Sequence, residues 1–451
     1  MTFSALDSGL TGPLFASDAM RAVFADRGRL AAMLAVETAL ARAQGAAGLV
    51  PKGLAPALAR ITADDLDIAA LGERTRDAGV VAIPFVKAVE ALLPERLRAH
   101  LHKGATSQDI VDTALVLQMA DAFALIAADL VVILGGLAAL ARKHARSPCV
   151  GRTYGQHAAP VTFGSVAGSW VSGIADVAAD LPALRQRTLI ASLGGPVGTL
   201  AGLGNAADAV STRFAKELQL GVAPVPWHTN RTGMVAVGAW LAALIAVLAR
   251  MATDVAFLSA TEIGEVSEAT AEGRGGSSAM PHKQNPLSSA VILSAHAAAP
   301  GHLVILLNAA TSGQQRPTGL WQAEWHALPA LFGLASGALR EASRLATSLV
   351  VDTRRMRANL DMTGGLIFAD AAATALAGKM GRGKAQAMVA KAAAQVRATG
   401  RPLRRVLVDQ GAPVTLLDSA FDLRPAIAAA ASVAGRAARH AQAVKRHLRK
   451  L

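Results

Sequence analysis

The sequence predicts an all-α protein built around a bundle of long helices, and three observations carry that prediction. Alanine, leucine and valine dominate the chain while aromatic residues make up 4% of it, a composition that favours helix. Strand-like alternation of apolar and polar residues is scarce. From Val111 the apolar positions Leu115, Met119, Ala122, Ile126, Leu130, Ile133, Leu137 and Leu140 follow in steps of three and four, which is one face of a helix. A helix of about 30 residues spans about 45 Å, a length that suits a bundle and not a small domain. The 451 residues can hold two or three domains and a large core.

Residues 1–100 read as an N-terminal domain of short helices. Asp26-Arg27-Gly28-Arg29 leads into Leu30, Met33, Leu34, Glu37, Leu40 and Ala41, an amphipathic run that stops between Gly45 and Pro51. Residues 101–345 read as the central long-helix domain. It opens on His102-Lys-Gly-Ala-Thr-Ser-Gln-Asp109, where Thr106 and Asp109 have the spacing of a capping box. Further long helices are expected at 161–192, 206–220, 232–262, 288–307 and 325–349. Polar, glycine-rich loops fall between them at 151–156, 194–205, 226–231, 273–286 and 312–322. A helical bundle places its functional groups at helix ends and in such loops. Residues 346–451 read as a basic C-terminal domain of shorter helices at 364–380, 384–398 and 425–448.

Charge and apolar patterning narrow the function classes. Residues 232–249 and 286–315 carry no formal charge, and both read as helices buried in a bundle, without membrane insertion. The net charge of +13 is concentrated in residues 346–451, which hold 18 Lys and Arg against 6 Asp and Glu. Its peak, from Arg436 to Lys450, has no aromatic residues interleaved for base stacking, so it reads as a solvated helical face and tail without a nucleic-acid partner. A single cysteine, Cys149, leaves no disulfide framework or cysteine metal cluster, and the N-terminus lacks a secretory signal; a cytoplasmic location is expected. His296 and His302 have no acidic partner at metal-ligand spacing, so no metal site is expected.

Chemistry is concentrated in Gly275-Gly-Ser-Ser-Ala-Met-Pro-His-Lys-Gln-Asn-Pro286. Paired glycines allow close backbone approach to a ligand, and Pro281 and Pro286 stiffen the far side. Ser277 or Ser278 can exchange a proton, while Lys283 and Asn285 can hold charge developing on an oxygen. The bland alternative is a Gly/Pro surface turn. The segment resembles the loop shared by the fumarase, aspartase, argininosuccinate lyase and adenylosuccinate lyase superfamily. His102-Lys-Gly-Ala-Thr-Ser-Gln-Asp and Gly151-Arg-Thr-Tyr-Gly-Gln-His resemble two further regions from which that superfamily builds its site. With the helix pattern, the likeness covers essentially the whole chain. It implies a fumarase/aspartase-like, three-domain helical fold, a homotetramer whose sites are shared between subunits, and no cofactor. Ser277 is then the catalytic serine, Lys283 and Asn285 stabilise an enolate-like intermediate, and Thr106, Ser107 and Gln156 hold the carboxylates of a small polycarboxylate substrate.

One departure narrows the resemblance. Amine-releasing members read Thr-His-x-Gln in the second region, and that histidine protonates the leaving amine; here the residues are Thr153-Tyr154-Gly155-Gln156. Tyrosine, with an ordinary pKa of about 10, replaces such a group poorly, whereas a carboxylate of pKa about 4 attacks or departs without a proton. That resembles the lactonising branch, the bacterial 3-carboxy-cis,cis-muconate cycloisomerases, in which one carboxylate of a hexadiene tricarboxylate adds at C4 and a proton arrives at C5 to give 4-carboxymuconolactone. The segments at Met20 to Glu37, Pro226-Trp-His-Thr229 and Leu320-Trp-Gln-Ala-Glu-Trp325 are similar to theirs as well. His102, Tyr154, His157, His228 and Arg316 join the substrate-contact candidates, with lone histidines equally able to serve as packing groups. Rival readings are an adenylosuccinate lyase-type C–N lyase, a sulfomuconate cycloisomerase, a crystallin-like structural protein and a nucleic-acid binder.

Overall fold

The computed structural model describes residues 3–270, 274–276, 280 and 282–451. Asp109 reaches back to accept the Thr106 N–H at 2.9 Å, completing the cap, and the Ser107–Lys143 helix runs on for 37 residues. Its Met119, Ala122, Ile126, Leu130, Ile133 and Leu137 are all buried, as the apolar stripe requires. They share one core with the helices Phe163–Ala179, Thr232–Leu258, Leu287–Ala309 and Leu320–Ser348. Phe123 sits at its centre, edge-on to Trp240 and Phe332 with ring centroids 6.0 and 5.4 Å away.

A second core joins the Asp26–Ala46 helix to Phe85, Phe214 and, from the first turns of the long helix, Ile110 and Ala114. A third lies between residues 372 and 420. Ser107–Lys143, Thr232–Leu258 and Leu287–Ala309 are each long and apolar enough to cross a membrane by composition; the first two pack one face into the bundle, but the expectation of a fully buried helix fails for Leu287–Ala309, which buries one stripe through Val291, Ile292, Ala295, Ala299 and Leu306 and leaves Val304 and Leu307 about half exposed.

Three further expectations need correction. The loop at 151–156 and the start of the 161–192 helix are instead an antiparallel hairpin, Pro148–Thr153 paired with Gln156–Thr162. Tyr154 and Gly155 form its two-residue turn with φ of +52° and +74°, the left-handed pair that a type I′ turn demands. The helix that follows divides at Asp180 into Phe163–Ala179 and Leu181–Thr188, with Pro182 in the first turn of the second piece. Lastly, the Arg424–Leu448 helix is no free tail. Ala434, Ala437, Ala438, Ala441, Val444 and Leu448 are buried, all but Ala434 in the main core, while Arg436, Arg439, Arg446 and Arg449 stay exposed. Close approach depends on Gly168, where an added Cβ would meet Ala437 Cβ at 3.2 Å.

Candidate active site

The first motif is held by a buried polar network. Beyond the Thr106 N–H, the Asp109 carboxylate accepts the Gly194 and Gly195 N–H groups at 2.8 and 2.9 Å and lies 2.7 Å from His228 Nε2. One carboxylate therefore fixes the helix start, the 194–205 loop and the 226–231 loop. His228 is itself buried, and its Nδ1 has no hydrogen-bond partner among the described residues, so the ring braces Asp109 from inside the protein. Next to it, Gln108 donates to Asp112 Oδ2 at 3.1 Å and to the His228 carbonyl at 2.9 Å. Arg316 completes the group, donating from Nε to Gln108 Oε1 and from Nη2 to Thr106 Oγ1, both at 3.1 Å.

Beneath this layer Arg231 lies between two carboxylates, Asp112 and Glu324, and its guanidinium carbon sits 4.9 Å from the centre of the Trp227 ring. Burial alone would lower its pKa, but the two carboxylates outweigh that cost and push it above the ordinary value. Glu324 is shifted upward by burial, opposed by Arg231. Sequence reading missed Gln108, Asp112, Arg231 and Glu324 as a unit. The available signal was the pair Asp109 and Asp112, two acids one turn apart on an otherwise apolar face.

His102 precedes this network in the left-handed region, φ +57°, and its Nδ1 lies 2.6 Å from Oε1 of the buried Glu37. Burial disfavours the imidazolium, yet the hydrogen bond and charge of Glu37 win and raise the His102 pKa. A cation that persists above the ordinary imidazole range suits an anionic ligand.

The second motif stands apart. Tyr154 and Gln156 are exposed at the hairpin tip. Burial and the neighbouring Arg152 hold His157 below the ordinary imidazole pKa, against the pull of Glu265. Arg152 makes a two-pronged pair with Glu265 at 3.0 and 2.5 Å, and Asn359 donates to the same carboxylate at 2.7 Å, which anchors the turn end of the hairpin. A cleft of about 560 Å³ opens beside it, lined by Arg152, Phe163, Arg250, Asp254 and Phe257 among others.

In the third motif Ser277, Ser278 and Pro281 lie outside the described residues. The neck of the loop is closed: Asn285 N–H donates to the Gly275 carbonyl at 2.9 Å, and Gly276 bridges to Gln284. Gly275 has φ +71°, and an added Cβ would stand 3.2 Å from the Asn285 carbonyl. Arg274, just before the loop, pairs with Glu341 and donates to Ser288 Oγ. Glu268 caps the exit helix, accepting from the N–H groups of Ser288 and Ser289 at 2.7 and 2.9 Å. Lys283 is exposed and Asn285 half-buried.

The structure thus gathers Thr106, His228 and Arg316 in one network, with Ser107 beside them. Among the described residues no hydrogen bond joins that group to Tyr154, Gln156 or His157, or either group to Lys283 or Asn285. No cluster of three or more metal-binding side chains occurs among the described residues.

Comparison with known proteins places this architecture. The family described as Lyase matches residues 14–301. A 3-carboxy-cis,cis-muconate cycloisomerase of Pseudomonas putida is 42% identical over 414 residues, covering 91% of this chain and 97% of that protein. A nitrosuccinate lyase of Streptomyces davaonensis is 40% identical over 414 residues, 89% of this chain and 87% of that one. The crystal structure of the 3-carboxy-cis,cis-muconate lactonizing enzyme from Pseudomonas putida superposes with a TM-score of 0.92 at 40% identity, over 97% of this chain and all of that one. The chain belongs to the lyase family, within the fumarase/aspartase-type superfamily that includes these cycloisomerases.

Proposed function

We propose that the chain is a lactonising cycloisomerase that converts 3-carboxy-cis,cis-muconate to 4-carboxymuconolactone, as part of aromatic-acid breakdown. The observation that carries this reading is Tyr154, an exposed phenol where amine-releasing relatives place an imidazole. A carboxylate nucleophile needs no proton removed, so no base is required at that position. In the proposed reaction one substrate carboxylate forms the C–O bond at C4. The electron pair of the double bond moves into the enolate-like system, Lys283 and Asn285 stabilise the charge, and Ser277 delivers the proton to C5. Thr106, Ser107, Gln156 and Arg316 hold the remaining carboxylates, His157 lines the site, and His102 adds positive charge. His228 acts from behind by holding Asp109. No metal or organic cofactor enters this scheme.

Among the described residues no hydrogen bond joins the three motifs within one chain, and apolar residues such as Val304 and Leu307 are half exposed. Both facts support a homotetramer in which subunits share each site. We place the enzyme in the cytoplasm, with no membrane or nucleic-acid partner.

A second reading has specific support. Nitrite, like a carboxylate, departs as a weakly basic anion, so Tyr154 fits the elimination named for the Streptomyces relative as well as it fits lactonisation. A sulfomuconate, with a sulfonate in place of the 3-carboxylate, suits the same anion pocket. Incubating purified protein with 3-carboxy-cis,cis-muconate and following the diene absorbance tests the proposal: enzyme-dependent loss is expected. An unchanged spectrum, with nitrite released from nitrosuccinate under the same conditions, selects the second reading.

A further inference from the structure

We infer that Gln108 is a positioning residue whose buried carboxamide fixes how the Arg316 guanidinium faces a substrate carboxylate. The inference rests on the reading of Arg316 as a carboxylate-binding group. Gln108 is fully buried, and the chemistry around it permits one amide orientation. Its Nε2 faces two acceptors, Asp112 Oδ2 at 3.1 Å and the His228 carbonyl at 2.9 Å, while Oε1 faces the Arg316 Nε donor at 3.1 Å. A flipped amide would set oxygen against two oxygens and NH₂ against a guanidinium. Asp112 is itself immobilised by Arg231 at 2.7 and 3.1 Å and by Trp321 Nε1 at 2.9 Å. The fixed point is therefore deep in the protein, and Gln108 transmits it outward.

Arg316 needs such a tether because it is exposed and lies just beyond the glycine-containing stretch that ends the preceding helix. Its Nε is held by Gln108, and its Nη2 is shared between Thr106 Oγ1 at 3.1 Å and the Pro196 carbonyl at 3.4 Å. Nη1 carries no hydrogen bond among the described residues. One edge of the fork is thereby fastened and the other is left for a ligand. A neutral amide also suits the position better than an acid, because a carboxylate there would pair with the guanidinium, cancel its charge and face Asp112.

Steady-state kinetics on the full-length enzyme test this, using whichever of the tricarboxylate and nitrosuccinate the wild type turns over. Gln108→Met keeps the shape and removes the acceptor, and it is expected to raise KM about tenfold with kcat within about threefold, the pattern of lost uniform binding. Arg316→Met is expected to raise KM at least as much. The double variant should be no worse than Arg316→Met alone, since Gln108 acts through Arg316. Multiplying effects in the double variant, or an unchanged KM in Gln108→Met, would overturn the role of Gln108. An unchanged KM in Arg316→Met overturns instead the reading of Arg316. Should Gln108→Met fail to fold, Gln108→Glu gives the same decision: a raised KM with kcat preserved supports the inference, and wild-type kinetics sink it.

Discussion

Arg231 and Asp112 form a two-pronged ion pair inside the protein, with Nη1 to Oδ2 at 2.7 Å, Nη2 to Oδ1 at 3.1 Å and both side chains no more than 1% exposed. The guanidinium also meets Glu324, through Nε at 2.8 Å and Nη2 at 2.5 Å. Asp112 belongs to the long helix that starts at the first motif, Arg231 to the end of the 226–231 loop, and Glu324 to the helix that follows Arg316. One buried cation thus joins three segments separated by about a hundred residues each, and the first motif is only as well placed as this joint.

Removing that cation strands two carboxylates in the core. Arg231→Met is expected to cost about 3–5 kcal/mol of stability, the range for breaking a buried pair by removing one partner. Arg231→Lys should recover only part of it, because a point charge cannot serve both carboxylates two-pronged. Denaturant titration of the purified protein checks this. A loss below about 1 kcal/mol in the Met variant would show that the carboxylates take up protons or water without penalty.

The raised pKa of His102 makes a signed pH prediction. The imidazolium is fully formed below the ordinary value of about 6.5, and the charge persists until the pH rises through the higher folded value. Both the stability contribution of the Glu37 contact and the attraction for an anionic substrate are thus present at low pH and lost as pH increases. Glu37→Gln should move the rise in KM to lower pH. Identical KM–pH profiles for wild type and variant would remove His102 from the binding charge.

Truncation after Ala434 should disrupt the main core, contrary to what a free basic tail implies. The deleted segment includes buried Ala437, Ala438, Ala441, Val444 and Leu448, whose burial is worth about 5 kcal/mol in total. Replacing the exposed Arg436, Arg439 and Arg446 by glutamine should instead leave the melting temperature almost unchanged and weaken heparin retention. A truncated protein that melts like the full chain would contradict the packing of the last helix.

At the reacting centre, Ser277→Ala is expected to lower kcat by about 10² to 10⁴, the value of a positioned proton donor. Tyr154→Phe should be mild, since the hairpin tip acts through shape. Ser278→Ala is the control: a large loss there alone moves the donor by one residue. A thousandfold loss in the Tyr154 variant with a near-normal Ser277 variant would reverse both roles.

Much of this fold was legible because its signals are long. The stripe from Val111 to Leu140 repeats over eight steps, and the Thr106 and Asp109 pair marks where its helix begins. The hairpin was not, since its strands are six and seven residues long and contain Gly151 and Pro160, which read as loop. For the site, motif residues stand out in the sequence, but their supports do not. Arg231 is 119 residues from Asp112 and 93 from Glu324, and beyond the Asp109 and Asp112 pair on an apolar helix face nothing local distinguishes these charges from surface ones. The basic C-terminal helix misled for a related reason: charge is conspicuous, whereas the alanines that bury its opposite face are common throughout the chain.

Proton NMR of 3-carboxy-cis,cis-muconate incubated with the purified enzyme in deuterium oxide tests the proposed chemistry most directly. The expected product is 4-carboxymuconolactone carrying a single deuterium at C5, formed without any added metal. An untouched tricarboxylate, in a sample that converts nitrosuccinate to an unsaturated dicarboxylate and nitrite, would contradict it.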